Sequence, residues 1–405
     1  MLKPRLMVDL FAGAGGLSLG LETAGFTSVY ANEIVPQYAA TYQENHPETW
    51  VDSRDIREVN AGAVRAKLGL RKRELALIAG GPPCQGFSVN APVRSSDDHR
   101  NHLFLDFLKF VDEFEPDAVL IENVPGLVSF EGGGTLEAIL SSLTKLGYSA
   151  DVQILYAPHF GVPQTRWRTI VLGVRNDLER PENLFPRAQH NAPLRINFTS
   201  SHRNKNLVTL VDDLDLPSHV SVADALSDLP AISSGEGVVN GASYRTEPAN
   251  QYQEVMRTNS QGVFNHRAAR LAAINLERLQ HIPPGGNWTN IPVDLLPEGM
   301  KRANRGDHTK RYGRSLPGAL SSTILTKCDP HWGAYFHYEQ ARTFTVREAA
   351  RIQSFPDDYR FTGSVSEQFA QVGNAVPPLL ACAIGQKLLE IISVLDIDLE
   401  SGIAS

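Results

Sequence analysis

Leu75-Ala76-Leu77-Ile78-Ala79-Gly80-Gly81-Pro82-Pro83-Cys84-Gln85-Gly86-Phe87-Ser88 joins a short apolar run to an abrupt turn. Leu75–Ala79 reads as a buried strand, and the Gly-Gly-Pro-Pro sequence ends it. The prolines fix φ and donate no N–H, while the glycines let the backbone turn tightly and come close to a bound partner. The sulfur of Cys84 is therefore delivered by a rigid turn at a strand's C-terminal end, which is where open α/β sheets bind ligands. Taken alone, a single cysteine reads better as a small side chain packed under a loop. The neighbouring segments favour chemistry.

Upstream, residues 5–10 form a second strand candidate. Phe11-Ala12-Gly13-Ala14-Gly15-Gly16 then turns into a helix with Leu17, Leu19, Leu21 and Ala24 at apolar positions. A strand, glycine-rich turn and helix bring backbone N–H groups toward an anionic or carboxylate-bearing ligand. A following strand, Ser28–Asn32, ends in Glu33, an acid placed for ribose hydroxyls. Another short extended segment precedes Asp55 and Ile56. Together these are nucleoside-like: a turn for the tail, Glu33 for the sugar, Asp55 and Ile56 for a ring. Either acid by itself is more simply an ordinary loop acid.

Downstream, residues 90–100 are a polar loop, read either as a lid or as a connection. A helix over 101–114 carries Leu103, Phe104, Phe107, Leu108 and Val111 on one face. Ala118–Ile121 is an apolar strand ending in Glu122-Asn123, which makes Glu122 a candidate acid facing the same crevice as Cys84. A helix over 134–146 and strands near 150–156 and 169–174 complete five or more strands alternating with helices. That pattern predicts an α/β fold built on a doubly wound, mostly parallel sheet. Arg166 and Arg168, two apart in extended chain, share a face and are placed to clamp an anion or a carbonyl oxygen.

From about residue 176 the alternation is lost, and Pro, Asn, Ser and Gly dominate to about 320. The expected division is 1–175 as one domain, completed by a C-terminal helix over 371–395, and 176–370 as a second, smaller and irregular one. A helix over 344–353 has Thr345 at its start and Glu348 three residues on, a capping-box spacing. The formal net charge is −7, yet residues 156–350 hold 22 Lys/Arg against 18 Asp/Glu. Within them Lys301, Arg302, Arg305, Lys310, Arg311 and Arg314 cluster with Asp307 as the one acid between. Such a run is as often a solvated face as a nucleic-acid footprint. Three scattered cysteines argue against a disulfide framework or a Cys-x-x-Cys metal site and fit a reducing cytoplasm. No stretch approaches 18 consecutive apolar residues, and the N-terminus has no signal-peptide pattern, so no membrane partner is expected.

These blocks, in this order, resemble the DNA (cytosine-5) methyltransferase family, of the bacterial modification type. They are Asp9 through Gly16, Gly81 through Ser88, Glu122-Asn123-Val124, Gln164 through Arg168, Arg314 through Ile324, and Gln371-Val372-Gly373-Asn374-Ala375-Val376-Pro377-Pro378. The resemblance implies a Rossmann-like domain that binds S-adenosylmethionine through Phe11, Ala12, Gly13, Gly15, Gly16, Glu33, Asp55, Ile56, Pro82, Asn374 and Val376, with no metal. It implies that Cys84 adds to C6 of a flipped-out cytosine and raises electron density at C5. Glu122, protonated, would hydrogen-bond at N3 and read the N4 amino group. Arg168 would hold O2, and Arg166 would meet a phosphate or brace the site. It further implies double-stranded DNA as partner, a target-recognition role for the second domain, a protein acting as a monomer on DNA, and a possible cognate restriction endonuclease.

Three other readings compete with this one. A tRNA cytosine-5 methyltransferase shares the catalytic blocks but has a short target region with a Cys-Phe-Thr element, and neither is found here. A catalytically inactive DNA-binding regulator would lose the Pro-Cys pair, the acid or the glycine turn, and all three are kept. A Rossmann dehydrogenase needs Gly-x-Gly-x-x-Gly, which is absent, and would leave Cys84 and Glu122 unexplained.

Overall fold

The structure, a computed structural model, describes residues 5–83, 103–178, 182–304 apart from 210, 212 and 214, and 306–401. Cys84 and the polar loop after it lie outside the described residues. The chain divides into two compact units. One comprises Met1–Phe160, Trp167–Pro217 and Val376–Ser405, and the other Gly161–Arg166 and Ser218–Ala375.

The first unit is organised on a sheet of strands β1 (Leu6–Leu10), β2 (Thr27–Asn32), β3 (Trp50–Asp52), β4 (Leu77–Gly80), β5 (Ala118–Asn123), β6 (Tyr148–Tyr156) and β7 (Trp167–Arg175). Their order is β3-β2-β1-β4-β5-β7-β6. The chain starts in the middle and winds outward both ways through helices α1 (Gly16–Ala24), α2 (Pro36–Asn45), α3 (Ala61–Lys67), α4 (Leu103–Phe114) and α5 (Gly134–Lys145). Strands β1 to β5 pair in parallel, and their near-continuous Val, Ile, Leu and Ala content suits a sheet covered on both faces. On α4 the buried positions Phe104, Phe107, Leu108, Phe110, Val111 and Phe114 form one apolar stripe, wider than the sequence periodicity alone indicates.

The last two strands depart from simple alternation. β7 inserts between β5 and β6 and runs antiparallel to both. The reason lies in the connection: residues 157–166 hold only a 3₁₀ turn, Ala157–Phe160, and a short extended piece. A parallel return needs a crossover of roughly a dozen residues or more, usually helical. The reversal brings the start of β7, not its end, to the edge where β1, β4 and β5 finish.

The C-terminal helix Pro378–Ser401 belongs to this unit and packs on α1. The contact is nearly backbone to backbone. A Cβ on Gly20 would lie 2.8 Å from the Cys382 nitrogen and closer still to the Pro378 carbonyl, and one on Gly385 would lie 2.7 Å from Ala24 Cβ. The small residues are there because any larger side chain would pry the helices apart.

The second unit contains little sheet and several short helices: Val222–Leu226, Gln251–Arg257, Ala273–Gln280, Glu298–Lys301, Val346–Ile352 and Val365–Asn374. Its centre is the helix Val346–Ile352, which is buried along its whole length. Thr345 and Glu348 make the expected capping box. Glu348 also takes the Arg342 guanidinium, while Arg351 pairs with Asp228 and Asp357, all buried. Burying such charges is tolerable only because each guanidinium is paired and hydrogen-bonded. A second apolar cluster holds Leu279, Ile282, Trp288, Ile291, Met300, Tyr312 and Phe336.

Candidate functional site

The parallel strands of the first unit end in register. Asp52 pairs with Asn32, Asn32 with Leu10, Leu10 with Gly80, and Gly80 with Ile121. The residues that follow each strand therefore stand in one row along one edge: Asp55 after β3, Glu33 after β2, Phe11 after β1, Gly81 after β4 and Glu122 at the end of β5. Pleat and register, more than any one motif, assemble this row.

At its centre the chain turns from β1 into α1 through three residues at positive φ, Phe11 at 60°, Gly13 at 58° and Gly15 at 90°. Ala12 N–H donates to the Asn32 carbonyl at 3.0 Å, which ties the turn to β2. Glu33 is buried and accepts from Gly13 N–H and Val35 N–H, each at 2.8 Å, one on each carboxylate oxygen. Burial pushes its carboxyl above the ordinary range, against the lowering influence of those two amides. A carboxylate has about four lone-pair sites, so acceptor capacity remains for two hydroxyls. A Cβ on Gly13 would meet nothing within 4 Å, so space lies open in front of the turn. An open cradle, a glycine turn and an acid with spare acceptors fit the tail and ribose of a nucleoside-like cofactor.

Asp55 caps the 3₁₀ turn Ile56–Glu58, accepting from Arg57 N–H at 3.0 Å, and takes the Arg57 guanidinium as well. That guanidinium holds its carboxyl below the ordinary carboxylate range. Ile56 is buried in the main core. Beneath the turn lies a network that sequence reading did not single out. Ser18 Oγ donates to Asp9 Oδ2 at 2.6 Å, and Tyr42 OH donates to Ser18 Oγ at 2.7 Å. Asp9 is fully buried and its Oδ1 has no hydrogen-bond partner among the described residues. Burial, opposed by Ser18 and aided by Glu22 and Glu33, raises its carboxyl to about 7.

A carboxyl raised from 3.8 to about 7 makes folding proton-linked. The folded chain holds the proton more tightly, so this contribution is complete below pH 3.8 and is lost as pH rises toward 7. Each pH unit in that window costs about 1.4 kcal/mol. In Asp9→Asn, a neutral near-isostere, that slope is expected to vanish. The stability of the variant relative to wild type should then rise between pH 4 and 7 by on the order of 4 kcal/mol. Urea unfolding across this range measures it, and parallel pH profiles would show that Asp9 does not titrate there.

Gly81, Pro82 and Pro83 lead from β4 to Cys84, which itself is not described. Pro82 is buried, and Asn123 Nδ2 donates to its carbonyl at 3.0 Å, so the end of β5 fixes the base of the turn. Glu122 stands beside Asn123. A Cβ on Gly81 would come within 3.1 Å of Glu122 Oε2, which shows how closely the turn passes that carboxylate. In the antiparallel pairing Glu122 faces Ile170, and Arg168, two residues earlier on β7, falls diagonally on the same face. The Arg168 Nε forms an ion pair with Glu122 Oε1, and Arg168 Nη1 donates to the Trp167 carbonyl at 2.8 Å.

Arg166 has backbone partners of its own. It belongs to the second unit and is buried there, with its guanidinium donating to the carbonyls of Ile324, Gly373 and Ala375 at 3.3, 2.8 and 2.9 Å. In this arrangement it braces backbone of its own unit. Gln164 acts likewise, donating to the Ile352 carbonyl at 3.0 Å and accepting from Ile324 N–H at 3.1 Å. Asn374 closes the helix Val365–Asn374 with its side chain exposed, and Val376 begins the segment that returns to the first unit. Asn123, Asp9 and Gln164 lie inside or beside the motifs quoted above, yet nothing in their local spacing announces their partners.

Comparison with known proteins gives the family. The family model of C-5 cytosine-specific DNA methylases matches residues 6–390. The chain is 34% identical to the Type II methyltransferase M.AgeI of Thalassovita gelatinovora over 95% of this chain and 99% of that protein. It is also 34% identical to the Type II methyltransferase M.DdeI of Desulfomicrobium norvegicum, over 94% and 88%. A crystal structure of a DNA modification methyltransferase encoded within an E. coli prophage superposes with a TM-score of 0.71 at 25% identity, covering 96% of this chain and 99% of the other.

Proposed function

The chain belongs to the C-5 cytosine-specific DNA methylase family and is a DNA (cytosine-5) methyltransferase; from that premise we propose that it methylates one cytosine within a specific duplex sequence, with Cys84 as nucleophile. S-adenosylmethionine, bound along the row, supplies the methyl group. Phe11 to Gly16 would surround its methionine part, Glu33 would take the ribose hydroxyls, and Asp55 with Ile56 would face the adenine. Pro82, Asn374 and Val376 complete this assignment by resemblance to the family.

The Cys84 thiolate adds to C6 of cytosine, because C5 is too weak a nucleophile until that addition supplies electron density; after C5 takes the methyl group, leaving S-adenosylhomocysteine, loss of the C5 proton expels Cys84 and 5-methylcytosine remains. Glu122 carries a proton toward N3 and accepts from the N4 amino group, which favours cytosine over thymine. Arg168 keeps the Glu122 carboxyl group in place and donates to O2. Arg166 braces the backbone of the second unit. A base inside a duplex cannot reach such a row, so the reading requires it to be flipped out, at a cost of a few kcal/mol. Target recognition is assigned to the expected second domain, residues 176–370, of which 218–370 lie in the second unit. The protein is read as a monomer on DNA in the bacterial cytoplasm, the modification partner of a restriction endonuclease that cuts the same site. The naming of two relatives as Type II methyltransferases supports that setting.

What carries the catalytic assignment is one observation. Glu122, with Arg168 on its carboxylate, stands beside the asparagine that holds the Pro82 carbonyl, two residues before Cys84. The test is incubation with tritiated S-adenosylmethionine and, separately, mixed-sequence duplex DNA, its 5-fluorocytosine-substituted form, and bulk tRNA. Label in the duplex and a denaturation-resistant adduct on the fluorinated form are expected. Label in tRNA alone would overturn the substrate assignment, and labelled duplex without an adduct would overturn the covalent mechanism.

A further inference from the structure

Among the described large apolar side chains, Trp332 is the most exposed, at 61%. Tryptophan, with an apolar ring and a polar N–H, is enriched where a surface meets a partner. The backbone at Trp332 is fixed in a turn. Its N–H donates to the Asp329 carbonyl at 3.0 Å, and Asp329 Oδ1 accepts from His331 N–H at 2.9 Å, closing a tight turn. That turn is clipped to the neighbouring segment. Tyr312 N–H donates to the Pro330 carbonyl at 2.6 Å, and Tyr312 OH shares a hydrogen bond with His331 Nδ1 at 2.7 Å.

The neighbouring segment is the basic stretch singled out in the sequence. Fully buried Trp288 anchors it from below, donating its N–H to the Arg311 carbonyl at 3.0 Å and its Nε1–H to the Asp307 carbonyl at 3.1 Å. Side chains along it divide by role. Arg314 donates to the carbonyls of Ile282, His337 and Glu339 and is committed internally, while Lys301 pairs with Glu298 at the surface. Arg305 lies outside the described residues. Arg311 places its guanidinium 5.3 Å from the centre of the Trp332 ring, and Lys310 beside it is exposed. An exposed indole on a fixed turn, with one cation over its ring and a second alongside, pairs an apolar plate with positive charge. Those are the two complements a nucleic acid offers as base or sugar faces and phosphates.

We propose that Trp332 and Arg311 are a DNA-positioning pair of the second unit, the indole packing on a base or deoxyribose face of the duplex and Arg311 on a neighbouring phosphate. This rests on the reading of the chain as an enzyme acting on duplex DNA. The test uses the intact protein and a short duplex whose sequence wild-type enzyme methylates. Adding the duplex should quench the tryptophan emission of wild type, and most of that change should be absent in Trp332→Phe, which keeps Trp50, Trp167 and Trp288. Trp332→Ala should weaken duplex binding by about tenfold or more, with Trp332→Phe recovering much of the loss. For Arg311→Gln, the slope of log affinity against log salt should shrink by about one, the signature of one phosphate contact removed. All three variants should bind S-adenosylmethionine as wild type does. Unchanged quenching, affinity and salt slope in a series whose wild type labels DNA would overturn this pair and leave the enzyme assignment standing. A wild type that labels no DNA would remove both.

Discussion

Cys84→Ser is expected to abolish methyl transfer, lowering the rate by on the order of 10³-fold or more, while binding of S-adenosylmethionine and duplex DNA is retained. A serine hydroxyl keeps the size of the side chain, but near neutral pH it supplies almost no anion. An ordinary cysteine, with a pKa of about 8.5, already supplies some thiolate, and nearby positive charge would supply more. Without addition at C6, C5 has no electron density with which to take a methyl group. The loss should therefore fall on turnover, with the Michaelis constants for both substrates little changed. Single-turnover transfer of labelled methyl groups to duplex DNA measures it. Transfer at a rate near wild type would eliminate the covalent route, and with it the role assigned to the turn that Gly80 to Pro83 begin.

The second large effect is on folding, at the same strand end. A Cβ on Gly80 would overlap the carbonyl oxygen of Leu10, and would lie 3.1 Å from the Leu10 carbonyl carbon and 3.2 Å from Phe107 Cε2. Two of those atoms are backbone of the adjacent strand, which cannot swing aside as a flexible side chain would. Gly80→Ala must push β4 away from β1 in the middle of the sheet, where both strands are fully buried. The expected cost is about 3–5 kcal/mol, at the severe end for a single substitution. For a unit of this size that corresponds to a fall in melting temperature of roughly 10 °C. Gly13→Ala is an informative contrast: its Cβ meets no atom within 4 Å, so only the strain of φ at 58° opposes it. Calorimetry on both variants separates steric overlap from backbone strain, and equal melting temperatures would show that the β1–β4 contact relaxes freely.

Much of the fold class was legible in the chain because its signals are local. Apolar runs ended by glycine and proline locate β1, β4 and β5, the stripe from Phe104 to Val111 locates α4, and Thr345 with Glu348 locates a helix start. The family, too, could be read from ordered motifs, since six short blocks in one order rarely arise otherwise. These features depend on residues within a few positions of one another, where chain stiffness and side-chain spacing dictate the outcome.

Tertiary structure alone decided the rest. Whether β7 runs parallel or antiparallel depends on how far ten connecting residues can reach, and that reversal is what sets Arg168 against Glu122. Arg166 and Arg168 look alike in sequence, yet one braces three carbonyls and the other holds a carboxylate. Asn123 fixes Pro82 across 41 positions of chain, and Asp9 is driven toward neutrality chiefly by burial, against the hydrogen bonds of Ser18. Within the basic stretch, only packing tells Arg314, committed to its own fold, from Arg311, stacked beneath an exposed indole. Composition and periodicity carry no record of such partners, because burial and long-range hydrogen bonding are properties of the assembled chain, and they set the charge, orientation and availability of each side chain.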